Sequence, residues 1–156
     1  MNFGSGSAGE DNPPATFSPP PYGTVKTPGT RTSPGSKGTP SSAAAIAVQF
    51  AYKQIGKPYV YGADGPNSYD CSGLTMAAWA KAGVKLPHHA AYQYATIKHH
   101  VSRSELQPGD LVFFGSPIHH VGMYVHGDLM INAPEPGENV RFDKWTRSDF
   151  AGAARP

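Results

Sequence analysis

The hydrophobic pattern of this chain changes period once, and that change limits the folds open to it. Residues 43–55 contain no Gly or Pro, and apolar residues recur four apart: Ile46 with Phe50, and Ala47 with Ala51 and Ile55. That spacing predicts a helix, capped by Ser42 and ended by Gly56. A second helix is predicted over residues 70–82, burying Leu74, Ala78 and Trp79, and a short third over 88–97. Residues 104–109 predict a turn with Leu106 tucked beneath it. From residue 110 the pattern becomes extended. Residues 110–115, 118–125, 129–133 and 139–142 are short runs rich in Val, Phe, Ile and Tyr, bounded by Gly, Pro and Asp. Residues 150–153 predict a last strand at the sheet edge. Helices first and strands afterwards predict an α+β domain, with helices on one face of an antiparallel sheet.

That domain is expected to occupy residues 41–156. Residues 1–40 hold half of the chain's 16 prolines, with Gly, Ser and Thr between them and Val25 as the lone aliphatic residue. Such a segment buries too little apolar area to offset its ordering entropy. It reads as a flexible linker, or as a strap over the domain's own cleft anchored by Phe17, Tyr22 and Val25. Residues 1–9 read as an expression scar, and they lack the basic and apolar regions of a signal peptide. No apolar run approaches the ~20 residues that span a membrane. A formal charge of +2 without a basic run argues against a nucleic-acid partner.

Cys71 is the only cysteine, which excludes an internal disulfide and a multi-cysteine zinc site. It lies one residue into the second predicted helix, after Asp70 and before Ser72. A helix start favours thiolate and offers free backbone N–H groups to a developing oxyanion. A thiol nucleophile also needs a base, and there are seven histidines. None forms the i, i+4 helical pair of a zinc protease. His119 and His120 open a strand, so at most one of them faces Cys71. Asn132 is the polar residue in the next strand and could orient an imidazole as the third member of a Cys-His-Asn arrangement. Register tests this. A plain two-residue turn at Gly127-Asp128 puts Asn132 on the wrong face, whereas an odd-length loop or a bulge puts it on His120's face.

Five ordered blocks carry a resemblance: Lys57-Pro58-Tyr59-Val60-Tyr61-Gly62, Asp70-Cys71-Ser72-Gly73-Leu74, Gln107-Pro108-Gly109-Asp110-Leu111-Val112-Phe113-Phe114, His120-Val121-Gly122-Met123-Tyr124-Val125, and Met130-Ile131-Asn132-Ala133-Pro134. Over roughly residues 43–153 the chain resembles the NlpC-type cell-wall peptidases of the papain-like cysteine peptidase superfamily. The resemblance implies a papain-like α+β fold and bacterial peptidoglycan stem peptides as substrate, cut between D-glutamate and diaminopimelate or its lysine equivalent. It implies Cys71 as nucleophile, His120 rather than His119 as base, and Asn132 as third member. Tyr61 is implied as an oxyanion-side residue, with Asp70 and Ser72 lining the substrate site. No metal or organic cofactor is implied. Ala63 stands where the family usually has glycine, which raises the question of a narrowed cleft.

The resulting expectation is a secreted or periplasmic, cell-wall-associated cysteine endopeptidase, monomeric and without a membrane span. Two alternatives keep the fold: an N-acetylmuramoyl-L-alanine amidase, and a non-catalytic peptidoglycan-binding domain. The ordinary uses of the same residues are helix capping for Asp70, a helix first turn for Ser72 and packing for Tyr61.

Overall fold

The computed structural model describes residues 41–156. The linker and strap readings of residues 1–40 lie outside the described residues. Ser41, not Ser42, caps the first helix: its hydroxyl accepts the Ala44 N–H at 3.0 Å, and α1 runs Ser42–Gln54. Gly56, with φ +99°, takes the left-handed conformation that lets the chain leave the helix. The buried stripe of α1 is Ala44, Ala47, Val48 and Ala51, whereas Ile46 is exposed. Small residues on that stripe let α1 lie close against α2.

Helix α2 spans Cys71–Lys81 with Asp70 as its cap, and α3 spans Ala90–Thr96. Leu74, Ala78 and Trp79 are buried as the spacing predicts. The Trp79 indole N–H donates to the Gly109 carbonyl at 3.1 Å, which satisfies its one polar atom inside the core.

The strands are β1 (His100–Val101), β2 (Leu111–Phe114), β3 (His120–His126), β4 (Leu129–Asn132), β5 (Arg141–Lys144) and β6 (Phe150–Ala154). They form one antiparallel sheet in the order β1-β6-β2-β3-β4-β5. The expected last edge strand is therefore interior. β6 pairs with β2 on one side, while the two-residue β1, absent from the predicted elements, pairs with its other side. Both faces of the sheet are covered, so all four residues of β2 are buried. Leu111, Phe113, Val121, Met123 and Ile131 pack with the helices, while Val112, Phe114, Met130 and Trp145 form a second cluster. Each large apolar side chain so buried contributes about 1.5–3 kcal/mol.

One irregularity positions the site. His126 pairs with Leu129 across a two-residue turn, but Tyr124 pairs with Met130, so Val125 is an extra residue on β3. This bulge shifts the register by one. Met123 then faces Ile131, and His120 and Asn132 share a face of the sheet. The short turn that counted against the pair is present, and the bulge reverses its effect.

Candidate active site

Asp70 ties together the segments around the start of α2. One carboxylate oxygen accepts the Gly73 N–H at 2.7 Å, capping α2, and also meets His88 Nε2 at 2.8 Å. The other accepts the Gly62 N–H at 2.8 Å. A carboxylate only accepts, so His88 donates from Nε2. A single side chain thus joins the 62–70 loop, the start of α2 and the segment leading into α3. The Ala63 carbonyl accepts the Asp70 N–H at 2.9 Å. It also lies so close to Gly73 that a Cβ there would stand 2.0 Å from it. Ala63 is therefore part of the loop's anchorage over the helix.

Gln93, buried in α3, ties that helix to the start of α2. Its amide nitrogen donates to the Ser72 carbonyl at 3.1 Å and the Pro87 carbonyl at 2.8 Å, while its oxygen accepts from the Thr75 hydroxyl at 2.8 Å. Ser72 itself is 5% exposed. Its backbone N–H, with those of Cys71 and Val121, points at the Cys71 sulfur. Cys71 sits at the start of α2, against β3.

Of the seven histidines, His120 alone is buried, at 6% exposure, and His119 beside it is exposed. His120 Nε2 lies 2.8 Å from Asn132 Oδ1. An amide oxygen accepts, so the proton is on Nε2 and the Nδ1 lone pair is free. The backbone of the next residue on β3, Val121, reaches the Cys71 sulfur, so the thiol lies against the strand that His120 opens. The structure thus joins His120 to Asn132 and sets Cys71 next to Asp70 and the Val121 backbone.

The electrostatics differ from the helix-end expectation. Burial pushes the Cys71 thiol up, Asp70 adds to the rise, and the three N–H groups oppose it without prevailing. Burial holds His120 below the ordinary histidine value; Arg147 and His119 act in the same direction, against the Asn132 hydrogen bond. Both shifts favour the neutral form, of the Cys71 thiol and of the His120 imidazole alike.

Tyr61 is 86% exposed. The phenol raised first by burial and then by the charges of Cys71 and Asp70 is Tyr59. Tyr59, His88 and Gln93 are site residues absent from the expected set. Tyr59 belongs to the Lys57-Pro58-Tyr59 block, but the surrounding segment has only isolated bridges, with no strand period to show which tyrosine turns inward. Among the described residues no group of three or more His, Cys, Asp or Glu is arranged to hold a metal ion.

A six-stranded antiparallel sheet with a cysteine at a helix start and a buried His–Asn pair defines a papain-like α+β domain. The family model described as "NlpC/P60 family" matches residues 56–152, and the chain belongs to that family. It is 46% identical over 100 residues to "Probable endopeptidase p60" of Listeria monocytogenes, a match covering 61% of this chain and 20% of that protein. The chain thus spans about a fifth of the length of that relative. Among solved structures it resembles the NlpC/p60 domain of the peptidoglycan hydrolase SagA, with a TM-score of 0.66 and 34% identity, covering 72% of this chain and 98% of that one. An NLP/P60 family protein similar to lipoprotein from Staphylococcus aureus gives a TM-score of 0.67 at 32% identity, over 81% of this chain and 44% of that one.

Proposed function

We propose that the chain is a cysteine endopeptidase of peptidoglycan stem peptides, cutting between D-glutamate and diaminopimelate. The observation that carries this reading is the buried His120, whose Nε2 proton is held by Asn132 while its neighbour Val121 contacts the Cys71 sulfur. Such an arrangement suits a base that accepts a thiol proton on Nδ1.

In this mechanism Sγ of Cys71 attacks the D-glutamyl carbonyl carbon as its proton passes to His120 Nδ1. The carbonyl electron pair moves to oxygen, where backbone N–H groups at the start of α2 and the Tyr59 hydroxyl donate to it. The oxyanion collapses to a thioester, and the leaving amine takes the proton from His120. Water, deprotonated by His120, then attacks the thioester. The acid is released and the proton returns to sulfur. Asn132 steadies the imidazolium formed in both halves. Asp70 and Ser72 shape the substrate side of the cleft, and Tyr61 stands at its exposed rim.

Action at the cell wall, outside the membrane, fits the likeness to the peptidoglycan hydrolase SagA. No helix among the described residues is long and apolar enough to cross a membrane. The test is release of soluble fragments from purified peptidoglycan. Cys71→Ala and His120→Ala should each abolish it; undiminished release by either variant contradicts the mechanism.

A further inference from the structure

Asn132 presents a problem that the His120 contact does not solve by itself. A side-chain amide has a donor end and an acceptor end of nearly the same shape. If the acceptor end faces His120, Nε2 carries the proton and Nδ1 can take one from Cys71. If the donor end faces it, Nε2 must supply the lone pair and the proton moves to Nδ1, towards the thiol. That tautomer cannot act as the base. Asn132 is 1% exposed, so water does not settle which end turns inward.

The answer lies on β5. Asn132 Nδ2 donates to Asp143 Oδ2 at 2.9 Å and, more weakly, to the Arg141 carbonyl at 3.3 Å. Both partners only accept, so only the nitrogen can face them. The β4–β5 register provides the placement: Asn132 pairs with Arg141, and Asp143 lies two residues along the same strand. Asp143 is held in turn. Arg141 Nε donates to both of its oxygens at 3.2 and 3.0 Å, and Arg141 Nη1 reaches Glu138 at 2.5 Å. Two carboxylates and one guanidinium leave this group with a net negative charge, separated from His120 by a single amide.

We propose that Asp143 is a positioning residue for the reaction: its carboxylate, clamped by Arg141, fixes the Asn132 amide so that His120 keeps its proton on Nε2, and its charge favours the imidazolium through that amide. The proposal rests on the reading of His120 as the base. A neutral asparagine thereby acquires part of the effect of a charged third member without a carboxylate touching the imidazole. Asp143 touches neither substrate nor His120. Its side chain is 32% exposed, so substitutions there do not hollow out a core.

The test reads the imidazole itself, in the full chain carrying Cys71→Ala so that the thiol does not titrate with it. Imidazole nitrogen shifts measured by NMR against pH report both tautomer and protonation of His120. The other groups acting on that titration are kept constant: His119 just before the strand, Arg147 and Asp149 before β6, and Arg141 and Glu138 behind Asp143. The parent should show the Nε2-protonated tautomer. Asp143→Asn, which can donate as well as accept, should give a mixture of tautomers and a lower His120 pKa. Asp143→Glu, an acceptor-only side chain, should restore the parent pattern. In the Cys71-containing chain, Asp143→Asn should lower kcat for stem-peptide cleavage about 10–100-fold with KM little changed, by analogy with the outer partners that orient metal-bound histidines. Parent-like tautomer and pKa in Asp143→Asn would overturn the proposal, whatever happens to the rate. The NMR readings need no substrate, so failure of the chain to cleave peptidoglycan would count against the proposed function and leave this inference to be decided by the spectra.

Discussion

At Cys71 the helix N-terminus and burial act in opposite directions, and burial prevails. The free protein therefore favours the thiol, and in the proposed mechanism thiolate forms as His120 withdraws the proton during attack. This fixes a sign for pH dependence. Because the thiol titrates above its ordinary value, alkylation of Cys71 by iodoacetamide should at neutral pH be slower than that of an unhindered free thiol. It should accelerate only as pH rises beyond the usual cysteine range. Rapid neutral labelling of the substrate-free protein would instead indicate a preformed thiolate–imidazolium pair. Tyr59 gives a second prediction at this scale. As an oxyanion donor its loss in Tyr59→Phe should lower kcat by about 10²-fold, near the lower end for such donors. The exposed Tyr61→Phe should cost far less. The reverse order would return the oxyanion role to Tyr61.

Among the elements, α2 and its overlying loop act as one unit. Gly73 has no side chain because the Ala63 carbonyl occupies that space, at 2.0 Å from any Cβ. Gly73→Ala must push away backbone, and with it the loop that Asp70 ties to Gly62. The expected cost is about 1–3 kcal/mol of stability, seen as a lowered denaturation midpoint together with reduced hydrolysis. Full stability in Gly73→Ala would mean that the loop does not rest on the helix. This region also shows what a sequence reveals and what it hides. Helix α2 was legible because Leu74, Ala78 and Trp79 obey a helical period; strand alternation allowed only one of His119 and His120 inward, and it was the family resemblance that named His120. The Asn132 contact was legible only as a condition on register, since the bulge at Val125 is an extra residue with no distinguishing composition. His88 could not be foreseen as a partner of Asp70, 18 residues away, because no periodicity links two loops. Ile46 followed the helical spacing and still lies exposed, because α1 buries its alanine stripe.

At the level of the whole molecule, the last residues close the domain. Arg155 donates two hydrogen bonds to Asp110, at 2.8 and 2.9 Å, and one to the Glu105 carbonyl. Asp110 is 2% exposed and ends the turn that leads into β2. Its pKa is raised because burial outweighs the guanidinium, while that of Arg155 is raised by the same contact, as an ion pair requires. Removing Arg155 leaves a buried carboxylate with the Gln107 N–H but no charge partner. Arg155→Ala should therefore destabilise the fold by about 3 kcal/mol, the lower end for a broken buried pair. An unchanged denaturation midpoint would show that the C-terminal residues do not secure the sheet. The α+β arrangement itself followed from the single change of hydrophobic period. The interior position of β6 did not, because a strand of two residues, His100–Val101, is too short to leave a pattern.

The products of the proposed reaction test it most directly. Purified peptidoglycan containing diaminopimelate would be digested with the parent chain and with Cys71→Ala, and the fragments identified by mass spectrometry. The predicted result is cleavage between D-glutamate and diaminopimelate by the parent, leaving L-alanyl-D-glutamate on the glycan, and no cleavage by Cys71→Ala. Release of whole stem peptides, or equal digestion by Cys71→Ala, would contradict it.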